Sequence, residues 1–100
     1  MLKKDFQKLS SAERKVYTGV LHWENGDCEY YKNGECHRDD GPAVIWNSGT
    51  KFYYQNGKLH RIDGPARIWP DGVEYYINGV ETTKEGQELY HSLIKLKSLG

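Results

Sequence analysis

The sequence predicts a mainly β protein, an antiparallel meander of about six short strands from 23-residue hairpin repeats, with short N- and C-terminal helices. Three observations support this fold class. A motif recurs at an offset of 23 residues, each pair of tyrosines is followed by Asn-Gly, and the 100 residues include 11 glycines and 8 tyrosines. This composition is typical of turn-rich β structure rather than of a helical bundle.

The repeat is clearest in two copies of the motif His-Arg-x-Asp-Gly-Pro-Ala, which begin at His37 and His60. Three tryptophans, Trp23, Trp46 and Trp69, keep the same offset of 23 residues. Each tryptophan is followed by a glycine-containing turn and then by a tyrosine pair. We therefore interpret each unit as two short antiparallel strands.

Turn chemistry predicts where the chain reverses. Asn33-Gly34 and Asn56-Gly57 tolerate positive φ, so each is expected to close a two-residue hairpin. The third tyrosine pair arrives one residue early. This spacing predicts that the turn at Asp71-Gly72 is one residue shorter than its counterpart at Asn47-Ser48-Gly49.

The two cysteines, Cys28 and Cys36, are too few for a disulfide framework. A two-residue turn after Tyr31 places Cys36 opposite that tyrosine, and Cys28 then points to the other face of the sheet. We therefore expect two free thiols. Because no apolar run reaches the length of a membrane span or a signal-peptide core, we also expect a cytoplasmic protein without membrane contact.

Helical patterns at both ends divide the predicted single domain, residues 1–100, into three parts. These are an N-terminal helical cap over residues 1–18, the hairpin repeats over residues 19–81 and a C-terminal helix over residues 82–100. The segment Ser10-Ser11-Ala12-Glu13 offers a capping box for a short helix. Thr82-Thr83-Lys84-Glu85 repeats that signal, although Gly86 favours a helix start after it.

The repeat with its tryptophans, tyrosine pairs and Asn-Gly turns resembles the MORN repeat family over about residues 20–86. The motif His-Arg-x-Asp-Gly-Pro-Ala is similar to a variant found in bacterial, phage and large-virus proteins. The resemblance implies an array of β-hairpins that mediates protein contacts and self-association. The chain lacks the Gly-x-Gly unit endings of the MORN consensus, so the resemblance does not imply lipid binding.

Residues suited to acid–base chemistry occur once per repeat, whereas a catalytic site is normally single. We interpret them as structural turn residues: His37, Asp40, Gly41, His60, Asp63 and Gly64. In this interpretation each aspartate accepts backbone hydrogen bonds, each arginine pairs with a carboxylate and each histidine stacks on a tyrosine. We predict no catalytic residue, and a hydrolase that uses the histidines is the weakest alternative.

No cofactor or metal site is predicted. Cys28, Cys36 and His37 match no common zinc spacing, and phosphate-binding and nucleophile motifs are absent from the sequence.

Three tryptophans and three tyrosine pairs are more aromatic surface than two short helices can cover. We expect Trp46, Trp69 and one tyrosine of each pair to pack in the core. The other tyrosines and nearby arginines have the composition of a protein interface. The predicted binding face consists of Tyr30, Tyr53, Tyr75, Arg38, Arg61 and Arg67.

The leading hypothesis is a non-enzymatic protein-binding module, which the resemblance extends to a phage or viral inhibitor that docks on a larger enzyme in the host cytoplasm. The alternative is a protein that binds or sequesters a small ligand, a nucleotide or a sugar. Fourteen basic residues balance fourteen acidic ones, which disfavours nucleic acid as a partner. Free sheet edges predict a homodimer.

Overall fold

The computed structural model describes residues 1–99 and confirms a mainly β fold with helices at both ends. Its helices are α1 (Lys3–Phe6), α2 (Ser11–Lys15) and α3 (Lys84–Leu99). Its ten strands are β1 (Gly19–His22), β2 (Cys28–Lys32), β3 (Glu35–Cys36), β4 (Val44–Ile45), β5 (Lys51–Phe52), β6 (Tyr54–Gln55), β7 (Lys58–Leu59), β8 (Arg67–Trp69), β9 (Gly72–Ile77) and β10 (Val80–Thr82). Position 100, the end of the predicted C-terminal helix, lies outside the described residues.

Seven strands form an antiparallel meander in the order β1-β2-β4-β5-β8-β9-β10. Strand β3 pairs with β2 outside this path, and β6 and β7 form a separate two-stranded sheet. The structure has more strands than the expected six because strand pairing occurs on both sides of a repeat, at its Trp-side turn and at its Asn-Gly turn. In the middle repeat the Trp-side hairpin, β4 and β5, joins the meander, whereas the Asn-Gly hairpin, β6 and β7, forms the separate sheet.

The Asn-Gly turns have the backbone that their residues predict. At Asn33-Gly34 the two φ angles are 51° and 79°, and at Asn56-Gly57 they are 52° and 78°. Positive φ at both central residues defines the hairpin turn whose twist matches the flanking strands. In the resulting register Tyr31 pairs with Cys36, as predicted from the sequence.

The second kind of turn follows each tryptophan. The Trp46 N–H donates to the Thr50 carbonyl oxygen at 2.9 Å across a three-residue loop. Trp69 instead pairs directly with Gly72, which leaves only two residues in the third loop. The predicted shortening of this turn is therefore confirmed.

The predicted capping box at the start of α2 is present. Ser10 Oγ accepts the Glu13 N–H at 3.1 Å, and Glu13 Oε1 accepts the Ser10 N–H at 2.8 Å. These two bonds satisfy N–H groups that a helix start otherwise leaves without a partner. The start of the short helix α2 is therefore stabilised by hydrogen bonds within its own first turn.

The start of α3 differs from the sequence expectation. Thr83, not Thr82, caps the helix, because its hydroxyl accepts the Gly86 N–H at 3.0 Å. The helix begins at Lys84 and includes Gly86. A β-carbon at Gly86 would overlap the Thr82 hydroxyl, so this poor helix former lies where only glycine leaves room.

The hydrophobic core is thin and lies along the sheet. Its buried members are Leu21, Ala43, Val44, Phe52 and Ala66. The expectation that Trp46 is a core residue is wrong, because its side chain is 42% exposed. Trp46 lies at the end of its strand beside a turn, where its ring meets the Phe52 ring edge-on with centroids 5.0 Å apart and otherwise faces solvent.

The Asn33-Gly34 turn gives a test of this backbone account. Gly34→Ala is expected to lower the free energy of unfolding by about 1–3 kcal/mol, because alanine is strained at positive φ and its β-carbon would overlap the Lys15 carbonyl group. Gly72→Ala is the matched control, since nothing lies near its added carbon. Urea denaturation measures both variants, and equal losses of stability would contradict the account.

Candidate functional site

Each repeat motif is connected to the following hairpin through its histidine. His37 Nδ1 accepts the backbone N–H of Asn56 at 3.0 Å, and His60 Nδ1 accepts that of Asn78 at 2.9 Å. An imidazole nitrogen that accepts a hydrogen bond carries no proton. Both histidines are therefore held as neutral rings with the hydrogen on Nε2.

The ends of the array supply substitutes for missing repeat residues. Thr18 Oγ1 accepts the Asn33 N–H at 2.9 Å, the bond that a histidine accepts in the later units. At the other end, Gln87 of α3 donates to the Arg61 carbonyl oxygen at 2.6 Å. Gln55 makes the equivalent bond one unit earlier, at 2.9 Å. Helix α3 therefore completes the last unit.

We call residues 37–41 and 60–64 the two His-Arg loops. In each loop the arginine Nε donates to an aspartate Oδ1 at 3.0 Å, and the guanidinium carbon lies 4.0 Å from a tyrosine ring centre. The residues are Arg38, Asp40 and Tyr30 in the first loop, and Arg61, Asp63 and Tyr53 in the second. A cation over an aromatic face is attracted to the negative ring face.

These contacts correct part of the predicted turn chemistry. The arginines do pair with carboxylates, but Asp40 and Asp63 bind the arginines rather than backbone N–H groups. The tyrosine rings stack on arginine rather than on histidine, because each histidine ring accepts a hydrogen bond from the following hairpin instead. A β-carbon at Gly41 would lie 3.1 Å from the Arg38 guanidinium carbon, so glycine lets the arginine pack closely.

An open groove of about 720 Å³ lies between the two His-Arg loops. Residues 38–41 line one wall and residues 60–63 line the other. The remaining lining residues are Tyr53, Gln55, Asn56 and Asn78. The groove is therefore built by the repeat itself, from two copies of one motif and the hairpins beside them.

The charges in this groove are unequally exposed. The side chains of Asp39, Asp40 and Asp63 are 78%, 86% and 70% exposed. Those of Arg38 and Arg61 are only 25% and 24% exposed, since each lies against a tyrosine ring. The solvent-facing surface of the groove is therefore acidic, although the two loops carry basic residues as well.

His60 differs from an ordinary surface histidine. Burial lowers the pKa of His60 below its ordinary value of 6.5. The Tyr90 ring of α3 lies edge-on to it, with centroids 6.4 Å apart. The helix thus covers the histidine that connects the second loop to the third hairpin.

The six residues of the predicted binding face do not lie together. Tyr30 and Tyr53 are half-buried beneath their arginines. Arg67 instead contacts Tyr76, and adjacent residues of one strand, such as Tyr75 and Tyr76, point to opposite faces. Side chains alternate between the two faces of a strand. This alternation along β8 and β9 is the sequence signal that places Arg67 and Tyr75 on different faces.

Arg67 belongs to a different cluster on its own face. Its guanidinium lies 4.3 Å from the Trp69 ring centre, and its Nε is 3.5 Å from Glu74 Oε1. Its Nη1 also donates to the Tyr76 hydroxyl at 3.3 Å. These contacts connect β8 to β9.

Both cysteines are free, as expected. Burial raises the pKa of the Cys36 thiol, while Cys28 Sγ lies 3.4 Å from His22 Nδ1. Within residues 1–99 no cluster of three or more His, Cys, Asp or Glu side chains has the geometry to hold a metal ion. Over the same residues no helix is long and apolar enough to cross a membrane.

Comparison with known proteins finds no matching family model, no similar curated protein and no similar solved structure. The resemblance to MORN repeats therefore stays a prediction from the repeat motif.

The pKa of His60 predicts how stability depends on pH. Its folded pKa lies below the unfolded value of 6.5, so the unfolded chain binds more protons and stability falls as the pH falls below 6.5. At pH 7.5 His60→Gln is expected to cost about 1 kcal/mol through the lost hydrogen bond to Asn78. Urea denaturation between pH 5 and pH 7.5 should show this difference shrinking towards pH 5. A constant difference would refute the assignment.

Proposed function

We propose that this chain is a non-enzymatic protein-binding repeat module, and that the groove between the His-Arg loops receives a basic segment of its partner. The observation that carries the proposal is the unequal exposure of charge in the groove. Its carboxylates project into solvent, while its guanidinium groups are covered by tyrosine rings.

The carboxylates retain capacity to bind a partner. The hydrogen bonds that Asp39, Asp40 and Asp63 accept within residues 1–99 all use Oδ1. A lysine or arginine side chain of the partner donates to the remaining oxygens, and such charge-assisted bonds are stronger than neutral ones. Each Arg–Asp pair is neutral, so Asp39, bonded to the neutral His37, gives the groove an excess negative charge.

The roles of the histidines favour binding over catalysis. The Nδ1 atoms of His37 and His60 are occupied by backbone N–H groups, so neither atom is available as a general base. The described lining of the groove contains no serine, threonine, cysteine or lysine nucleophile. Tyr53 is present but lies beneath the Arg61 guanidinium.

A small-ligand function is the second candidate, because the volume of the groove is within the range of small-molecule sites. The amides of Gln55, Asn56 and Asn78 suit a neutral sugar. Nucleotide phosphates would meet the exposed carboxylates and be repelled. An inhibitor that docks on a larger host enzyme remains a hypothesis that rests on the resemblance to phage and viral repeat proteins.

Selection from a random-peptide library displayed on phage tests the leading proposal. Selected peptides are expected to be enriched in lysine and arginine, and one of them, titrated into ¹⁵N-labelled protein, should shift the amide signals of both His-Arg loops.

Asp39→Asn should weaken the binding of such a peptide by about twofold to fivefold, because one exposed charge pair is lost. The asparagine side-chain oxygen still accepts the His37 hydrogen bond, so the substitution removes the charge and keeps this bond. The second loop has Ile62 at the equivalent position and so has no carboxylate there.

Glu24→Gln is the matched control, since it removes one exposed carboxylate that lies outside the groove. It should leave the peptide affinity unchanged. Peptides without basic residues, or signal shifts outside the loops, would contradict the proposal. Shifts at the groove with neutral saccharides but with no peptide would favour the second candidate.

A further inference from the structure

Helix α3 has an exposed apolar stripe. Leu89, Leu93 and Leu96 are 64%, 51% and 64% exposed, and their spacing of four and three places them on one side of the helix. The opposite side is used by the fold, where Gln87 is buried against the second His-Arg loop and Tyr90 meets His60. The packing that completes the last repeat therefore leaves three leucines in solvent.

The edges of the sheet are poorer sites for self-association than the sequence implies. Along β1, Leu2 forms a parallel bridge with His22, and the Met1 amino group donates to the Val20 carbonyl oxygen at 2.6 Å. The chain thus covers this edge itself. At the other edge β10 has three residues, and Glu81 in it carries an exposed acidic side chain. Short, charged edges resist pairing.

Charge is distributed unevenly along α3. In its first half the exposed Glu85 and Glu88 outnumber the exposed Lys84, and in its second half Lys95 and Lys97 are exposed. In a parallel pair of such helices, like charges would lie side by side. In an antiparallel pair, the acidic half of each helix faces the basic half of the other, and the two helix dipoles also oppose one another.

We propose that the stripe of Leu89, Leu93 and Leu96 is a dimer interface, occupied by α3 of a second copy of this chain in antiparallel orientation. The stripe is self-complementary under a two-fold axis, which is the symmetry of the commonest oligomers. This pairing leaves the second His-Arg loop of each copy free, because that loop contacts the opposite side of α3. The proposal is therefore independent of the function of the groove.

A charged substitution in the stripe is the first test. Leu93→Glu should weaken self-association by about a hundredfold, because each dimer loses two buried leucines and gains two charges. Val16→Glu is the matched control, since Val16 is also exposed, at 68%, but lies beside α2. Sedimentation velocity of the full chain over a hundredfold range of concentration measures both variants, and circular dichroism verifies that each is folded.

Charge reversal tests the antiparallel orientation. The variant Glu85→Lys/Glu88→Lys should dimerise at least tenfold more weakly than the original chain, and so should Lys95→Glu/Lys97→Glu, because each puts like charges in contact. An equimolar mixture of the two variants should form heterodimers. A parallel pair predicts no weakening in either variant, since like charges already face each other there.

The proposal is overturned by any of three results. These are a chain of 11.6 kDa that stays monomeric at all concentrations, a dimer that Leu93→Glu leaves intact, or charge variants that self-associate as strongly as the original chain. A dimer that survives Leu93→Glu would point to the sheet edges instead.

Discussion

The hydrogen bond from an Asn-Gly hairpin to the histidine of the preceding unit couples successive repeats. His37 and His60 make this bond at 3.0 and 2.9 Å, to the N–H groups of Asn56 and Asn78. Strands β6 and β7 form a two-stranded sheet of their own, so the histidine bond helps to attach this hairpin to the preceding repeat, and backbone hydrogen bonds between the two units add to it. Isolated two-stranded hairpins are marginally stable in water. The rest of the site depends on this coupling because it fixes where each His-Arg loop lies.

A fixed loop also determines which charges reach solvent. Arginine stacking on tyrosine, and the glycine that admits the guanidinium, hold the cation of each loop against the sheet. The aspartates that pair with these arginines then project into solvent from a loop whose position is fixed. Balanced charge in the sequence therefore becomes an acidic groove in three dimensions. In α3, Gln87 makes the bond to the Arg61 carbonyl oxygen that Gln55 makes to Arg38 one unit earlier, and this packing leaves the leucine stripe of α3 exposed.

Local chemistry made much of the fold predictable from the sequence. The Asn-Gly turns, the pairing of Tyr31 with Cys36 and the shortened loop before Gly72 all follow from residue types and spacing over a few positions. The exposure of Trp46 and the role of Gln87 could not be predicted this way. Both depend on what packs nearby in three dimensions, and Gln87 is 26 residues from Arg61.

The state of the two histidine rings tests the central coupling most directly. Long-range ¹H–¹⁵N correlation spectra at pH 7.5 identify which ring nitrogen carries hydrogen. The structure predicts that His37 and His60 both hold the hydrogen on Nε2, with Nδ1 unprotonated, and that the Asn56 and Asn78 amides exchange slowly. Rings with hydrogen on Nδ1, or rapid exchange of both amides, would contradict the account.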